Sequence, residues 1–143
     1  MARETQLWDS LSKARFVLRD DLHMHRVENI VSPGAPDVEG HYKFTSAFQF
    51  ELKSEARPVR PETPIHFKMR PKQVEYARRR WLVGGAIFWL LQVGEGSSRR
   101  VYMIEGIHGA KINAGLTEVQ LHALDILRQP KFDPAECVKM AFR

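Results

Sequence analysis

Apolar residues recur at helical spacing along the first twenty positions. With Leu7 set at zero and about 100° per residue, Leu11, Ala14 and Leu18 fall within about 40° of it, and Trp8 widens the stripe. This predicts an amphipathic helix over residues 4–19. Glu4 falls at about 60°, on the apolar side, whereas Asp9 faces solvent. An acid at Glu4 is either a wet residue at a fraying helix start, where it suits the helix dipole, or an inward carboxylate with a task.

The period then changes to two. Residues 23–31 read as a strand with His25, Val27, Asn29 and Val31 on one face. His23 and His25 could pair on a metal, but no third His or Cys lies near them. Ser32-Pro33-Gly34-Ala35-Pro36 is a breaker cluster and must turn. It delivers Asp37 to a short strand over 37–39, and residues 40–46 read as a hairpin connection. Over 47–53, Phe48, Phe50 and Leu52 alternate with Gln49, Glu51 and Lys53, the pattern of a strand with one buried face.

Residues 54–71 hold four prolines and no periodicity, so a long loop is expected; loops of this length in compact domains are often functional. Pro71 suits the first turn of a helix running to 81 or 82. Val74, Ala77 and Trp81 make its core face, Gln73, Tyr76 and Arg80 another, and Arg79 aligns with Lys72 and Glu75. Gly84-Gly85 closes it. Residues 86–93 are continuously apolar, the mark of a strand covered on both faces, and 100–105 follow as the next strand after a turn. Thr117 and Gln120 form a capping box for a helix whose continuation Pro130 ends. Asp133-Pro134-Ala135-Glu136 opens a last short helix. These helices read as structural cover.

The net charge of +5 changes this picture because it is not spread evenly. Between residues 57 and 80, eight basic residues (Arg57, Arg60, Lys68, Arg70, Lys72, Arg78, Arg79, Arg80) face two acidic ones, which accounts for the whole excess. Such clustering is the electrostatic footprint of phosphate binding, although a run of arginines is also an ordinary solvated face. Arg26 is either a further phosphate contact or a surface residue. A single cysteine, Cys137, excludes an intrachain disulfide and suits a reducing compartment. With no signal-like N-terminus and no apolar run long enough to span a bilayer, a soluble cytoplasmic protein of one domain is expected, with no membrane partner.

The candidate chemistry sits in the middle of the chain. Glu51 and Lys53 share a strand face, about 7 Å apart. If Asp37 lies on the adjacent strand, two carboxylates and an ammonium meet at one end of a small sheet. That is poor core packing. It suits a Mg²⁺ site with a lysine beside an attacking water.

The order of helix, strand, Pro-Asp turn, strand with Glu-x-Lys, basic loop, helix with an early Gln and apolar strand resembles the PD-(D/E)XK nuclease superfamily. It is most similar to the VRR-NUC and phage Holliday-junction-resolvase branch. The matching motifs are G-A-P-D (34–37), F-E-L-K (50–53) and R-P-K-Q (70–73), and the likeness covers residues 4–105, leaving 115–143 as helical cover. The resemblance implies a restriction-endonuclease-like α/β fold, a central mixed sheet flanked by helices. It implies that Asp37 and Glu51 bind the metal with the Leu52 carbonyl, that Lys53 holds the attacking water, that Gln73 supports the site, and that Glu4 completes the metal shell. It further implies Mg²⁺, with Mn²⁺ as a substitute, no organic cofactor, DNA as partner, and a homodimer able to cut two strands.

The implied activity is metal-dependent DNA endonuclease, structure-specific like a junction resolvase or sequence-independent. The basic loop and helix would hold the backbone without reading bases. The rivals are a non-catalytic nucleic-acid-binding module and a phage structural protein with a basic surface. Neither requires a divalent ion at Asp37 and Glu51.

Overall fold

A computed structural model of the chain describes residues 3–27, 34 and 36–142. The first apolar stripe forms two helices rather than one, α1 (Arg3–Ser12) and α2 (Ala14–Leu18). They separate at Lys13, where the Ser12 hydroxyl donates to the Asp9 carbonyl at 2.8 Å and diverts the helical ladder. Leu7, Leu11, Ala14 and Leu18 are nevertheless all buried, as the stripe requires.

Five strands follow: β1 (Leu22–Arg26), β2 (Val38–Tyr42), β3 (Ala47–Glu55), β4 (Ala86–Val93) and β5 (Arg100–Glu105). They lie side by side in chain order. The pairs are antiparallel except β3–β4, which is parallel. A parallel pair needs a long crossover, and here it runs through α3 (Pro71–Leu82). The described residues thus form the expected mixed sheet flanked by helices.

Each sheet face carries its own core. Phe48, Phe50, Leu52, Phe88 and Leu90 pack with α1, α2 and the last helix, α6 (Pro134–Met140). On the opposite face Ile87, Trp89, Leu91 and Val93 meet Ala77 of α3, Ile112 of α4 (Gly109–Ala114) and Leu121 of α5 (Glu118–Leu124). Strand β4 is covered on both sides, as its continuous apolar run implies. The Thr117–Gln120 capping box opens α5 as expected.

Several boundaries differ from expectation. Strand β1 stops at Arg26, opposite Val38; Val27 still donates to the Asp37 carbonyl at 2.6 Å, and Asn29 and Val31 lie outside the described residues. The expected connection over 40–46 shrinks to 43–46, because Gly40 is a mid-strand residue. A Cβ at Gly40 would sit 2.5 Å from Phe48 Cζ and 2.8 Å from the His23 carbonyl oxygen. The glycine admits a neighbouring ring rather than making a turn.

The long proline-containing loop is pinned down. Ile65 and Phe67 are each 3% exposed within the core. The Ile65 N–H donates to the Leu116 carbonyl at 2.7 Å, and the reverse bond is 3.2 Å. Helix α4, between this bridge and β5, was not expected from the sequence. Cys137 is buried, and among the described residues no helix is long and apolar enough to cross a membrane.

Gly40→Ala is expected to destabilise the protein by about 1–3 kcal/mol, because the added methyl must displace strand backbone as well as the Phe48 ring. Denaturant melts of the two proteins check this; an unchanged midpoint would show that β1 and β3 part easily around Gly40.

Candidate active site

The β2–β3 pairing sets the site. Val38 is opposite Phe50, so Asp37 precedes the ladder at the level of Glu51 and Leu52. Its Oδ2 accepts from the Leu52 N–H at 3.0 Å, taking the bond that a longer β2 would have made. The preceding turn is fixed from outside: Gly34 has φ +94°, and a Cβ there would lie 2.6 Å from the Lys72 carbonyl oxygen. A glycine therefore lets the Asp37 turn lie directly on the first turn of α3.

On the β3 face toward α3, Glu51 is 4% exposed. Its Oε1 accepts from Gln73 Nε2 at 2.7 Å and lies 3.8 Å from Lys53 Nζ. Lys53 Nζ in turn donates to Gln73 Oε1 at 3.1 Å. The same Gln73 oxygen accepts from the Arg70 N–H at 3.0 Å, closing the start of α3. One carboxamide thereby joins Glu51 and Lys53 of β3 to a helix N-terminus.

Burial pushes the Glu51 carboxyl up to about 9, the neighbouring Asp37 carboxylate adds to the rise, and Lys53 partly offsets it. Once both are ionised, the two carboxylates carry more negative charge than one lysine balances. Such a pair of hard oxygen donors fits a small divalent ion that retains several waters, such as Mg²⁺. No group of three or more His, Cys, Asp or Glu residues gathers among the described residues, so a third acidic ligand is not in place.

Glu4 instead lines an open cavity of about 610 Å³ together with Lys53, His66, Lys68, Arg70 and Asn113. Of these, Glu4 was singled out by its helical phase, while His66 and Asn113 had no signal in the sequence. Arg26 ends β1 opposite Val38, beside the Asp37 turn. Lys72, Arg79 and Arg80 line a separate cleft on the outer side of α3. Arg60 lies farther off, in a small pocket with Val59 and Val119.

Two residues of the basic stretch are ion-paired within the fold. Arg57 donates to both carboxylate oxygens of Glu118, at 2.7 and 3.0 Å, and to the Ser98 carbonyl at 2.6 Å. Its guanidinium clamps the loop to α5, a use that the charge count alone could not separate from phosphate binding. Arg78 makes a two-pronged pair with Glu75 at 2.9 and 3.0 Å, one helical turn away. The Glu118 partner, which also accepts from the buried Tyr102 hydroxyl, has no signal in the sequence.

No family model and no curated protein matches the sequence. Among solved structures the chain is similar to a 1.6 Å structure of Archaeoglobus fulgidus Hjc, a Holliday junction resolvase from an archaeal hyperthermophile. The two share 15% identity, over 94% of this chain and 98% of that chain, with a TM-score of 0.48. A likeness of that degree carries no chemistry across.

The Glu51 shift has a thermodynamic consequence in metal-free protein. The unfolded chain releases this proton near 4.5, the folded chain near 9. Between these values the folded state binds more protons, so stability is greatest below the lower value and falls as pH rises toward the upper one. The slope is up to about 1.4 kcal/mol per pH unit. With chelator present, Glu51→Gln is expected to flatten this decline and to gain most over wild type at alkaline pH. Denaturant titrations at pH 5, 7 and 9 check it, and parallel wild-type and variant curves would contradict a buried, proton-retaining Glu51.

Proposed function

We propose that this chain is a divalent-metal-dependent endonuclease that hydrolyses DNA phosphodiester bonds. The observation that carries the reading is the buried Glu51 joined through Gln73 to Lys53, with Asp37 beside it at the end of the sheet. Mg²⁺ is the expected ion, held by Asp37 and Glu51. The Leu52 carbonyl is the expected backbone ligand, since a strand residue offers its N–H and C=O to the same side and Asp37 receives that N–H. Glu4, which lines a cavity with Lys53, is the expected further acid of the shell, acting through water. When bound, the ion supplies Lewis-acid charge to the phosphate oxygens.

The protein side chains supply the rest. Glu51 gives up its proton to become a ligand. Lys53 Nζ, held on Gln73 Oε1, orients the attacking water in line with the scissile bond and neutralises charge that develops there. Gln73 fixes Glu51 and Lys53 relative to each other. Lys68, Arg70 and Arg26 border the site and hold the sugar-phosphate backbone, which carries no base information. Cutting is therefore sequence-independent or directed by DNA shape, and a homodimer would place two sites on two strands.

Incubation with supercoiled plasmid, linear duplex and a synthetic four-way junction tests the reading. Wild type is expected to cut with Mg²⁺ or Mn²⁺ and not with chelator. Glu51→Gln and Lys53→Ala are each expected to lose about 10²-fold or more in rate. Binding of all three substrates without cutting, unaltered in both variants, would leave a basic binding module instead.

A further inference from the structure

The cleft on the outer side of α3, about 550 Å³, is built around two side chains that the hydrolytic site does not use. Tyr76 and Arg80 stand one turn apart on the helix. The Arg80 guanidinium lies over the Tyr76 ring, 5.3 Å from its centroid, and donates to the Tyr76 hydroxyl at 2.9 Å. That hydroxyl also accepts from Gln49 Nε2 at 3.1 Å. Gln49 precedes Glu51 by one strand repeat on the same face, so the pair is anchored about 7 Å from the Glu51 position along β3.

Arg80 is also held at its stem. A Cβ on Gly85 would lie 2.5 Å from Arg80 Cγ, and the Gly85 N–H donates to the Arg80 carbonyl at 2.9 Å. The glycine pair after α3 thus does more than end the helix. Gly84 supplies a φ of +89°, and Gly85 lets the arginine lie flat on the returning backbone. Around this fixed pair stand Lys72, Arg79 and the 82%-exposed Val83. Glu75, the acidic lining residue, is paired with Arg78.

We propose that the Arg80–Tyr76 pair is a stacking platform for an unpaired base of the DNA strand next to the scissile phosphate. Lys72 and Arg79 hold the flanking phosphates. A planar guanidinium held against a tyrosine ring by its hydroxyl presents a flat cation and an aromatic ring side by side, two groups that accept a base of any identity. A fully paired duplex keeps its bases stacked on one another and cannot use it. The preferred substrate class is therefore DNA with an unpaired nucleotide beside the cut, as in a flap, a frayed end or an open junction. This inference rests on the nuclease reading for its place next to a cut, yet the platform itself is tested by binding alone.

The test uses the full chain with chelator, so that no cutting intervenes. The probes are a short single strand and a single-base flap, each carrying 2-aminopurine, and the matching duplex. Wild type is expected to prefer the first two and to quench the unpaired 2-aminopurine. Arg80→Lys retains the charge but loses the plane, and Tyr76→Ala removes the ring. Both are expected to weaken single-strand and flap binding about tenfold, to leave duplex binding unchanged and to lose the quench. Tyr76→Phe, which keeps the ring and loses the hydroxyl anchor, is expected to keep the quench and to weaken single-strand and flap binding less than Tyr76→Ala, which separates stacking from a folding defect. Equal losses on all three probes, or no loss on any, would overturn the platform. Metal-dependent cutting that persists in that case would leave the nuclease reading standing; preference and quenching without any cutting would remove the nuclease reading and keep the platform.

Discussion

The Gln73 carboxamide is the contact on which the site depends. Its nitrogen must face the Glu51 oxygen, and its oxygen must face the Lys53 ammonium and the Arg70 N–H. Reversing the amide would set oxygen against a carboxyl oxygen and NH₂ against two donors, so the network admits one orientation. That matters because Glu51 and Lys53 are nearly buried, with side chains 5% and 11% exposed. A buried ionisable pair is costly unless its hydrogen-bonding groups find partners, and here one neutral side chain bonds to both members of the pair.

The helix that carries Gln73 matches the strand beneath it. Along β3 the polar side chains Gln49, Glu51 and Lys53 recur at about 7 Å, while Gln73 and Tyr76 on α3 recur at about 4.5 Å along its axis. The long reach of Gln, Tyr and Lys spans the difference, giving the bonds Gln49–Tyr76, Glu51–Gln73 and Lys53–Gln73. A polar stripe on a sheet face ordinarily marks solvent. Here it marks a second polar stripe on a covering helix; the opposite face of β3 supplies one apolar core, and Ala77, beside the polar stripe of α3, packs into the other.

Features governed by local period were legible in the sequence: the α1 stripe, the alternation placing Glu51 and Lys53 on one face, the β4 run, and Pro71 with Gln73 at the start of α3. Features decided by distant partners were not. Gly40 is indistinguishable in sequence from a turn glycine until Phe48 is known to lie across it. The loop around Ile65 shows no period because its anchors are two inward side chains and a bridge to Leu116, far along the chain. Helix α4 begins on a glycine packed against the Trp89 ring, a start that no capping residue announces.

The same distinction decides what the basic excess means. A count over residues 57–80 treats eight cations as equivalent, but the fold assigns them different partners. Glu118 holds Arg57 and Glu75 holds Arg78, so those two charges are locally balanced. Lys68 and Arg70 stand with Lys53 at one cavity, and Lys72, Arg79 and Arg80 line the cleft that runs along α3 from its first turn to its last. A polyanion responds to the local field rather than to the total, and its attraction is strongest where cations are concentrated without an acid among them. The two regions meet at the segment from Arg70 to Gln73, where Arg70 lines the first and Lys72 the second, and whose Gln73 bonds both Glu51 and Lys53. A strand engaged by both would therefore cross the site at the one place where helix, loop and sheet are tied together.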